Sequence, residues 1–469
     1  MALEYVLSEK NKYMLIYQGF LHVKEREHDN KTYWKCSEYK KIHCKGRLHV
    51  VDDKITKCIE HNNHVPNAAK IEAKKVISTL KKNASQTTLS THSVLGNAVM
   101  QVTSAVSAEM SSVNTLKRTI QRVRQKEEAA PANPSNFEFI IPDKYKYNSN
   151  GELFLKFDSG PTESRILIFT TQQNLDFMSE CNNWFCDGTF SVAPPIFAQL
   201  YTIHGVCYSN VIPSVYVLLP DKKEKTYRHM FEILKSLKSN LNPKSIMIDY
   251  ERAALNAIET EFCNTEVKGC FFHMSQCIWR HVQELGLQTT YRNDPEFSLR
   301  IRMLPALAFI PEVDVIKCYN ALLVTNYYTD NEDLLAPLLD YFENTWVGKL
   351  DRRGKRKPPK YAITLWNCFS RVIQDLATTN NAIEGWHNCF TSLINSIHPS
   401  IWRFIDALKK EESINRFKIE QYVGGNEPPK KKIYRDRAAK IKKICTTYNN
   451  NTNIEDYLRG IAYNFQLQI

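Results

Sequence analysis

Hydrophobic and polar residues follow their most regular pattern between positions 185 and 285. Five short apolar runs, each bounded by polar or turn-forming residues, predict β-strands. Segments with apolar residues at three- and four-residue spacing predict helices around the last two strands. The predicted strands cover residues 186–190, 197–208, 214–219, 246–250 and 267–272, and the predicted helices cover residues 224–241, 253–262 and 273–285. This order predicts an α/β core.

The first 130 residues divide into a strand-rich part and a helix-rich part. Aromatic and β-forming residues, separated by Ser, Asp, Asn and Lys, predict short strands over residues 12–65. From residue 68 to residue 126 the apolar residues recur at helical spacing, with lysines and arginines on the other faces. Pro131 and Pro134 then mark a linker.

The rest of the chain is mostly helical in pattern. Strand-like pieces at residues 137–141, 153–157 and 166–169 lead into the α/β core, and residues 286–378 predict helices broken by prolines. A further helix opens near residue 381. Its apolar face is predicted to consist of Ile383, Trp386, Phe390, Leu393, Ile394 and Ile397.

Length and charge limit the classes of function. A chain of 469 residues is too long for one ordinary core, so several domains are expected. The net charge is +12, which suits a polyanionic partner. Residues 1–130 hold 22 Lys and Arg against 13 Asp and Glu, so most of the positive charge lies at the N-terminal end.

The cellular compartment can be predicted from membrane and secretion signals and from the cysteine count. No apolar window approaches the ~18–20 residues of a membrane span, and the N-terminus has no signal-peptide pattern, so neither membrane insertion nor secretion is expected. Thirteen cysteines, an odd count, are interpreted as reduced thiols and metal ligands. Basic runs at residues 355–360 and 428–432 are candidate nuclear localisation signals and predict a nuclear protein.

Two cysteines and two histidines in the strand-rich part have the residue types of a zinc site. Cys36, Cys44, His61 and His64 could supply two thiolates and two imidazoles, a complete tetrahedral shell. Metal binding can fold a segment that is too small to fold by burial alone. A buried pair of reduced cysteines with surface histidines would explain the same residues without a metal.

The same residues carry a family resemblance. Tyr-Trp-x-Cys at 33–36, Cys-Lys-Gly-Arg-Leu at 44–48 and the closing histidines resemble a FLYWCH-type zinc finger over about residues 6–65. That family usually closes with His-x-His, whereas this chain reads His-Asn-Asn-His at 61–64, and His49 and Cys58 are alternative ligands. The resemblance implies bound Zn²⁺ and a DNA-binding role.

Three carboxylates lie at the ends of predicted elements, and each has a simple structural explanation. Asp187 precedes Gly188, and Asp-Gly is a common hairpin turn. Asp249 precedes a helix that it could cap. Glu384 follows Asn381 at the spacing of a capping box.

Their joint placement resembles a catalytic site. The order strand, strand, strand, helix, strand, with an acid on the first and fourth strands, resembles the ribonuclease-H-like core of DDE transposases. Asn-Asn-x-x-Glu-Gly-Trp-His at 380–387, after a helical insertion, matches the final catalytic helix of Mutator-like transposases. The resemblance implies that Asp187, Asp249 and Glu384 hold two Mg²⁺ or Mn²⁺ ions for phosphodiester hydrolysis and strand transfer.

Cys270 and His273 form a Cys-x-x-His motif that also resembles Mutator-like transposases. Two ligands are half of a zinc site, so the alternatives are a structural metal and simple packing, and packing is favoured.

Basic residues provide candidate phosphate contacts in both N-terminal parts, although solvated charges would explain any one of them. A helical unit that ends in a basic helix could enter a major groove, as in helix-turn-helix proteins, or serve as a spacer. The candidates are Lys35, Lys45 and Arg47 in the finger and Lys117, Arg118, Arg122 and Arg124 in the basic helix.

Together these patterns predict an α/β and α+β multidomain protein. The predicted parts are a zinc finger (6–66), a basic helical unit (68–128), a ribonuclease-H-like core (137–285), a helical insertion (286–378), the final catalytic helix (379–410) and a basic tail (411–469). The predicted function is that of a Mutator-like transposase that binds terminal repeats and target DNA as a homo-oligomer. The alternative is a domesticated descendant that binds DNA in transcription or chromatin without catalysis.

Overall fold

The computed structural model describes residues 3–8, 12–87, 89–128, 131–207, 210–425, 432–449 and 451–467. It forms two compact units, residues 1–132 and residues 133–469. The predicted basic run at 428–432 lies outside the described residues except for its last position. Among the described residues, no helix is long and apolar enough to cross a membrane.

The first unit opens with a six-stranded sheet in which each strand pairs with its neighbour along the chain, all antiparallel. Its strands are β1 (Glu4–Leu7), β2 (Tyr13–Tyr17), β3 (Phe20–His28), β4 (Lys31–Cys36), β5 (Arg47–Val51) and β6 (Lys54–Ile59). Side chains of adjacent strand residues point to opposite faces. Leu15, Trp34, Leu48 and Val50 form a small core on one face, and Met14 packs on the other.

Helices complete the first unit. They are α1 (Tyr39–Ile42), α2 (Ala68–Gln86), α3 (Thr91–Val99), α4 (Ser104–Ala108) and α5 (Val113–Glu128). The predicted apolar stripe of α5 is buried, because Leu116 and Ile120 pack against Leu80 of α2 and Leu95 of α3. Ile71 of α2 packs against the sheet.

The second unit is built on a seven-stranded mixed sheet of order β13-β12-β9-β10-β11-β8-β7. Its strands are β7 (Leu155–Asp158), β8 (Leu167–Phe169), β9 (Asn183–Thr189), β10 (Gln199–Cys207), β11 (Asn210–Leu219), β12 (Ser245–Ile248) and β13 (Glu266–Gly269). β9, β10 and β11 pair antiparallel, whereas β12 pairs parallel with both β9 and β13. Parallel strands need crossover connections, which the helices after β11 and β12 supply.

Helices that precede or connect these strands, or follow them directly, are α6 (Asp143–Lys146), α7 (Gln172–Glu180), α8 (Glu224–Leu237), α9 (Arg252–Glu261) and α10 (Phe271–Glu284). Both faces of the sheet are covered. Along β9, Trp184 and Cys186 enter one hydrophobic core, while Phe185 between them enters another with Ile383. This alternation decides on which face each acid lies.

The rest of the second unit is helical. It contains α11 (Gln288–Asn293), α12 (Pro295–Ala306), α13 (Val315–Leu323), α14 (Asn326–Asp330), α15 (Glu332–Phe342), α16 (Ile363–Trp366), α17 (Phe369–Ile373), α18 (Asn381–Ile394), α19 (Ile401–Val423), α20 (Lys432–Thr446) and α21 (Ile454–Ala462). Short 3₁₀ segments at Leu307–Phe309 and Glu312–Asp314 and a π-helical turn at Glu343–Val347 interrupt them. Trp346 and Trp366 are fully buried and therefore serve packing.

Three local predictions are wrong. Residues 137–141 form no strand; Phe137 and Phe139 instead accept hydrogen bonds from Arg165 through their carbonyls. Ile397, predicted to join the apolar face of α18, lies beyond the helix, which ends at Ile394 with Asn395 in the left-handed conformation, and its side chain is 74% exposed. The capping box is absent, since α18 is capped at Asn380 without a side-chain hydrogen bond.

Candidate functional site

The Cys/His cluster, which consists of Cys36, Cys44, His61 and His64, brings four potential metal ligands together. Cys36 ends β4, Cys44 precedes β5, and the histidines follow β6. The four ligand atoms all lie within 4.8 Å of one another, and no other group of three or more such ligands meets this limit in the described parts of the chain.

The distances within the cluster fit a tetrahedral zinc ion. Sγ of Cys36 lies 3.3 Å from Nε2 of His64, Sγ of Cys44 lies 3.3 Å from Nδ1 of His61, and the two imidazole nitrogens are 3.0 Å apart. Zn–S bonds of ~2.3 Å and Zn–N bonds of ~2.0–2.1 Å imply ligand separations of roughly 3.3–3.6 Å. Burial raises the pKa of the Cys36 thiol to about 11, and the nearby Cys44 adds to this, so a cation is needed to hold the Cys36 sulfur as a thiolate.

His22 supports the cluster although it is not one of the four ligands. It lies opposite Cys36 in the β3–β4 register and is buried, and its Nε2 is 3.1 Å from Nε2 of His61. A hydrogen bond there leaves Nδ1 of His61 directed at the cluster, which fixes the ring orientation. Sequence reasoning missed His22; the available signal was a histidine among apolar residues at an inward strand position.

Phe20 and Gly46 shape the space around His61. The ring of Phe20 stacks on the imidazole of His61 at 3.7 Å between centroids. A Cβ atom at Gly46 would lie 2.6 Å from the same imidazole, so only glycine fits in the Cys-Lys-Gly sequence. The alternative ligands lie elsewhere: His49 packs against Tyr33, and Cys58 is exposed on β6.

Asp187 lies in β9, and Asp249 directly follows the neighbouring parallel strand β12. The β9–β12 register pairs Met247 with Phe185, and continuing it by two residues aligns Asp249 with Asp187. Asp187 is buried inside β9, so the hairpin-turn interpretation is wrong. The N-cap residue of α9 is Glu251, so Asp249 does not cap this helix. Oδ1 of Asp249 instead accepts a hydrogen bond from the backbone amide of Glu251 at 3.3 Å.

Glu384 reaches the same face from α18. Ile383 packs against Phe185, Met247 and Cys270, which seats the first turn of the helix on the strands that carry the two aspartates. The Phe271 amide also donates to the Thr378 carbonyl at 3.0 Å, which ties the approach to α18 to the start of α10.

The three acids interact electrostatically. Burial raises the pKa of Asp187 to about 8, and repulsion from Asp249 and Glu384 contributes to the rise. Burial also raises the pKa values of Asp249 and Glu384. Asp187 therefore lies near enough to Asp249 and Glu384 to be repelled by both, although the oxygens of the three acids do not all come within the 4.8 Å that the Cys/His cluster meets. Burial opposes the ionisation of each acid.

Cys270 and His273 have different contacts and no common partner. The Cys270 thiol donates to the side-chain oxygen of Asn380 at 2.9 Å and accepts from the Asn380 amide, so it anchors the start of α18. Nε2 of His273 lies 3.8 Å from Oε1 of Glu384. One turn along α18, Nδ1 of His387 lies 3.9 Å from Oδ2 of Asp187. Cys270 of the Cys-x-x-His motif thus packs against the start of α18, and His273 lies beside Glu384.

Sequence reasoning also missed a fourth acid near the site. Glu251 accepts a hydrogen bond from the Tyr227 hydroxyl at 2.9 Å and lies 3.8 Å from Nζ of Lys222. Nζ of Lys222 lies 3.7 Å from the ring centroid of Phe190. Burial raises the pKa of Asp249, and the positive charge of Lys222 opposes part of that rise. Lys222 is thus a cation held at the edge of the acidic site.

The candidate phosphate contacts differ in their surroundings. Lys35 and Arg47 both form ion pairs with Glu25, at 3.4 and 3.3 Å. Arg124 donates to the carbonyls of Ala84 and Thr87 at the C-terminus of α2, so it serves the helical unit itself. The more accessible candidates are Lys45 and, on α5, Arg118, Arg122 and the half-buried Lys117.

Comparison with protein-family models matches residues 183–277 to the MULE transposase domain and residues 5–65 to the FLYWCH zinc finger domain. A search of curated proteins finds no match. The first range contains Asp187, Asp249 and the Cys-x-x-His motif but ends before Glu384; the second contains the whole Cys/His cluster, which supports Zn²⁺ as its metal. Both resemblances are thereby confirmed: the chain carries a MULE transposase domain and an N-terminal FLYWCH zinc finger domain, which point to a transposase-type, DNA-binding protein.

Proposed function

We propose that this protein is a DDE-type transposase of the Mutator-like class that cleaves and joins DNA at Asp187, Asp249 and Glu384. The observation that carries the proposal is that the buried Asp187 of β9 is repelled by both Asp249, directly after β12, and Glu384 of α18, whose first turn packs on the same strands. Such a cluster is unfavourable without cations and matches the preference of Mg²⁺ and Mn²⁺ for carboxylate oxygen.

The sheet supports the same proposal. Its five strands β11-β10-β9-β12-β13 combine an antiparallel meander with two parallel strands, the arrangement expected of a ribonuclease-H-like core. In that core the first and fourth strands are neighbours, as β9 and β12 are here. A helix that carries the third acid then covers their common face.

Each residue has a defined part in the proposed reaction. Asp187, between the other two acids, would contact both cations, and Asp249 and Glu384 would each hold one. Two divalent cations held by these acids would supply the positive charge that an attacking and a departing oxygen need in phosphodiester cleavage. Lys222 would contact a phosphate beside the scissile bond. Water or a DNA 3′-hydroxyl would be the nucleophile, so no side chain is covalently modified.

The proposed partners and location follow from this chemistry. Double-stranded DNA is the substrate, comprising the terminal repeats and the target site, and two ends joined in one reaction would require at least two copies of the protein. Chromosomal DNA as target and the basic run at residues 355–360 support a nuclear location.

Asp187→Asn, Asp249→Asn and Glu384→Gln should each reduce DNA cleavage by at least about 100-fold, because loss of one carboxylate disrupts the shared cation site. The measurement is nicking of supercoiled plasmid that carries the DNA flanking the coding region, with MgCl₂ or MnCl₂. Binding of the same DNA without divalent ions should remain.

The matched control is Glu259→Gln, an exposed acid on the helix that follows Asp249. It should cleave like the wild type. Full cleavage by any of the three site variants would refute the assignment of that residue. Binding without cleavage by the wild type, under all metal conditions, would instead favour a DNA-binding protein without catalysis.

A further inference from the structure

One face of the zinc-finger sheet carries a row of cations that the function proposed above does not use. In the registers of β3 to β6, Arg26 lies opposite Tyr33, Tyr33 opposite His49, and His49 opposite Lys57. Directly opposed residues of antiparallel strands share a face, and Lys31, two residues before Tyr33, shares it too. We call these five residues the cationic face.

The cationic face lies opposite the buried core of the same strands. Trp34 and Leu48, which alternate with Tyr33 and His49, are buried in that core. Arg26 and Lys57 are exposed. The row crosses three strand-to-strand steps of ~4.8 Å, so its terminal cations are roughly 14 Å apart along the sheet.

Tyr33 organises the row. The guanidinium carbon of Arg26 lies 4.5 Å from the centroid of the Tyr33 ring, and Nζ of Lys31 lies 5.4 Å from it. The imidazole of His49 meets the ring at 4.7 Å with an interplanar angle of 65°. Cation–π contacts of this kind hold flexible cations in place at a surface.

The charges of the row are not neutralised. Within the described part of the chain, Arg26, Lys31 and Lys57 form no ion pair, in contrast to Lys35 and Arg47, which share Glu25. The pKa of His49 is lowered by burial and then by repulsion from Lys31, Lys57 and Arg26, so three positive charges act on one point. A dense group of cations without ion pairs suits an anionic partner.

We propose that the cationic face is the surface with which the finger holds the phosphate backbone of duplex DNA. The inference rests on the proposed function in that both take DNA as the partner. The ring of Tyr33 already bears Arg26 and His49, so it cannot also stack on an unpaired base as single-strand-binding proteins require. Arginine and lysine at fixed positions instead suit phosphates, which position a protein on DNA without reading its sequence.

The test uses the full-length protein and a fluorescent duplex of about 30 base pairs, with affinity measured by anisotropy at several salt concentrations without divalent ions. Each of Arg26→Ala, Lys31→Ala and Lys57→Ala should reduce the slope of log affinity against log salt by about 1. In the variant that combines all three substitutions, the slope should decrease by about 2 to 3. Its affinity should be lower for every duplex sequence. Zinc content should remain one ion per finger.

The matched control is Lys24→Ala. Lys24 is two residues from Arg26 on the same strand, but it pairs with Trp34 in the register and so lies on the other face, where it binds Glu27 at 2.7 Å. Its slope should equal that of the wild type. Tyr33→Ala should weaken binding without reducing the slope by a full unit, since it removes the ring that holds Arg26 and Lys31 in place but removes no positive charge.

Three results would overturn the inference: an unchanged slope in the triple variant, an equal loss in Lys24→Ala, or stronger binding of single-stranded DNA or double-stranded RNA than of duplex DNA. Failure of the catalytic proposal is separate. Asp187→Asn should bind duplex DNA with the wild-type slope, and a wild-type protein that binds duplex DNA without cleaving it would contradict only the assignment of the acidic site.

Discussion

At the scale of single residues, Asp187 is an acid whose ionisation is opposed by its surroundings. Its pKa is about 8 in the folded chain, raised first by burial and then by Asp249, against ~3.9 in an unfolded chain. Between these values the native state binds more protons than the unfolded state, so the free energy of unfolding should fall as pH rises from about 4 to about 8. Asp187→Asn cannot ionise and should lack this loss.

The comparison of wild type and Asp187→Asn tests this directly. In divalent-free buffer the two should have similar urea midpoints near about pH 4, and the variant should be the more stable at about pH 8. Tryptophan fluorescence reports on the second unit, which holds the buried Trp184, Trp346 and Trp366. Parallel pH profiles for the two proteins would mean that Asp187 ionises freely. Glu259→Gln, an exposed site, should follow the wild type.

His22 gives a second prediction at this scale. Because its contact with His61 fixes the orientation of a zinc ligand, His22→Ala should lower zinc affinity by about 10–100-fold, the usual effect of removing such a partner. Competition with a chromogenic chelator measures the affinity. His49→Ala, a histidine on the cationic face, is the control and should bind zinc normally. Equal affinities for His22→Ala and wild type would assign His22 to packing alone.

At the scale of elements, periodicity predicted the central architecture. The strands and helices between β9 and α10 lie within a few residues of their predicted positions. Short, nearly continuous apolar runs of this kind are typical of strands that are buried on both faces of a sheet. The proximity of Asp187 and Asp249 was implied by the family resemblance and not by the pattern alone, and β9 and β12 do pair as neighbours. The placement of Glu384 required the family resemblance, since no periodic pattern relates α18 to β9.

Other features of the elements were not predictable because tertiary contacts decide them. Residues 137–141 have β-forming side chains, yet their carbonyls bind Arg165, which sequence pattern cannot pair with them. Arg124, a candidate for DNA contact, donates hydrogen bonds to carbonyls at the end of α2, and no sequence pattern indicates that pairing. Glu251 and Lys222 join the acidic site only through the folding of two loops. Charged residues are thus the least predictable, since their partners lie far away in sequence.

At the scale of the whole molecule, the two units differ in what stabilises them. The sheet of the first unit has two small cores with four buried residues each, whereas the second unit has extensive cores on both faces of its sheet. A sheet with so little buried apolar surface is expected to depend on its metal, and the raised pKa of Cys36 means that this thiolate depends on it as well.

Removal of zinc should therefore unfold the finger and leave the second unit intact. Hydrogen exchange with a chelator present should show loss of protection over residues 5–65, with the central strands β9 to β13 unchanged, and Cys36→Ser should reproduce this without chelator. The thermal transition followed by the buried tryptophans of the second unit should move by no more than a few degrees. A chelator that leaves β4 and β5 protected would show that the finger folds by burial alone. A joint loss of protection in both units would show that their stabilities are coupled, and that DNA binding and catalysis cannot then be separated by metal.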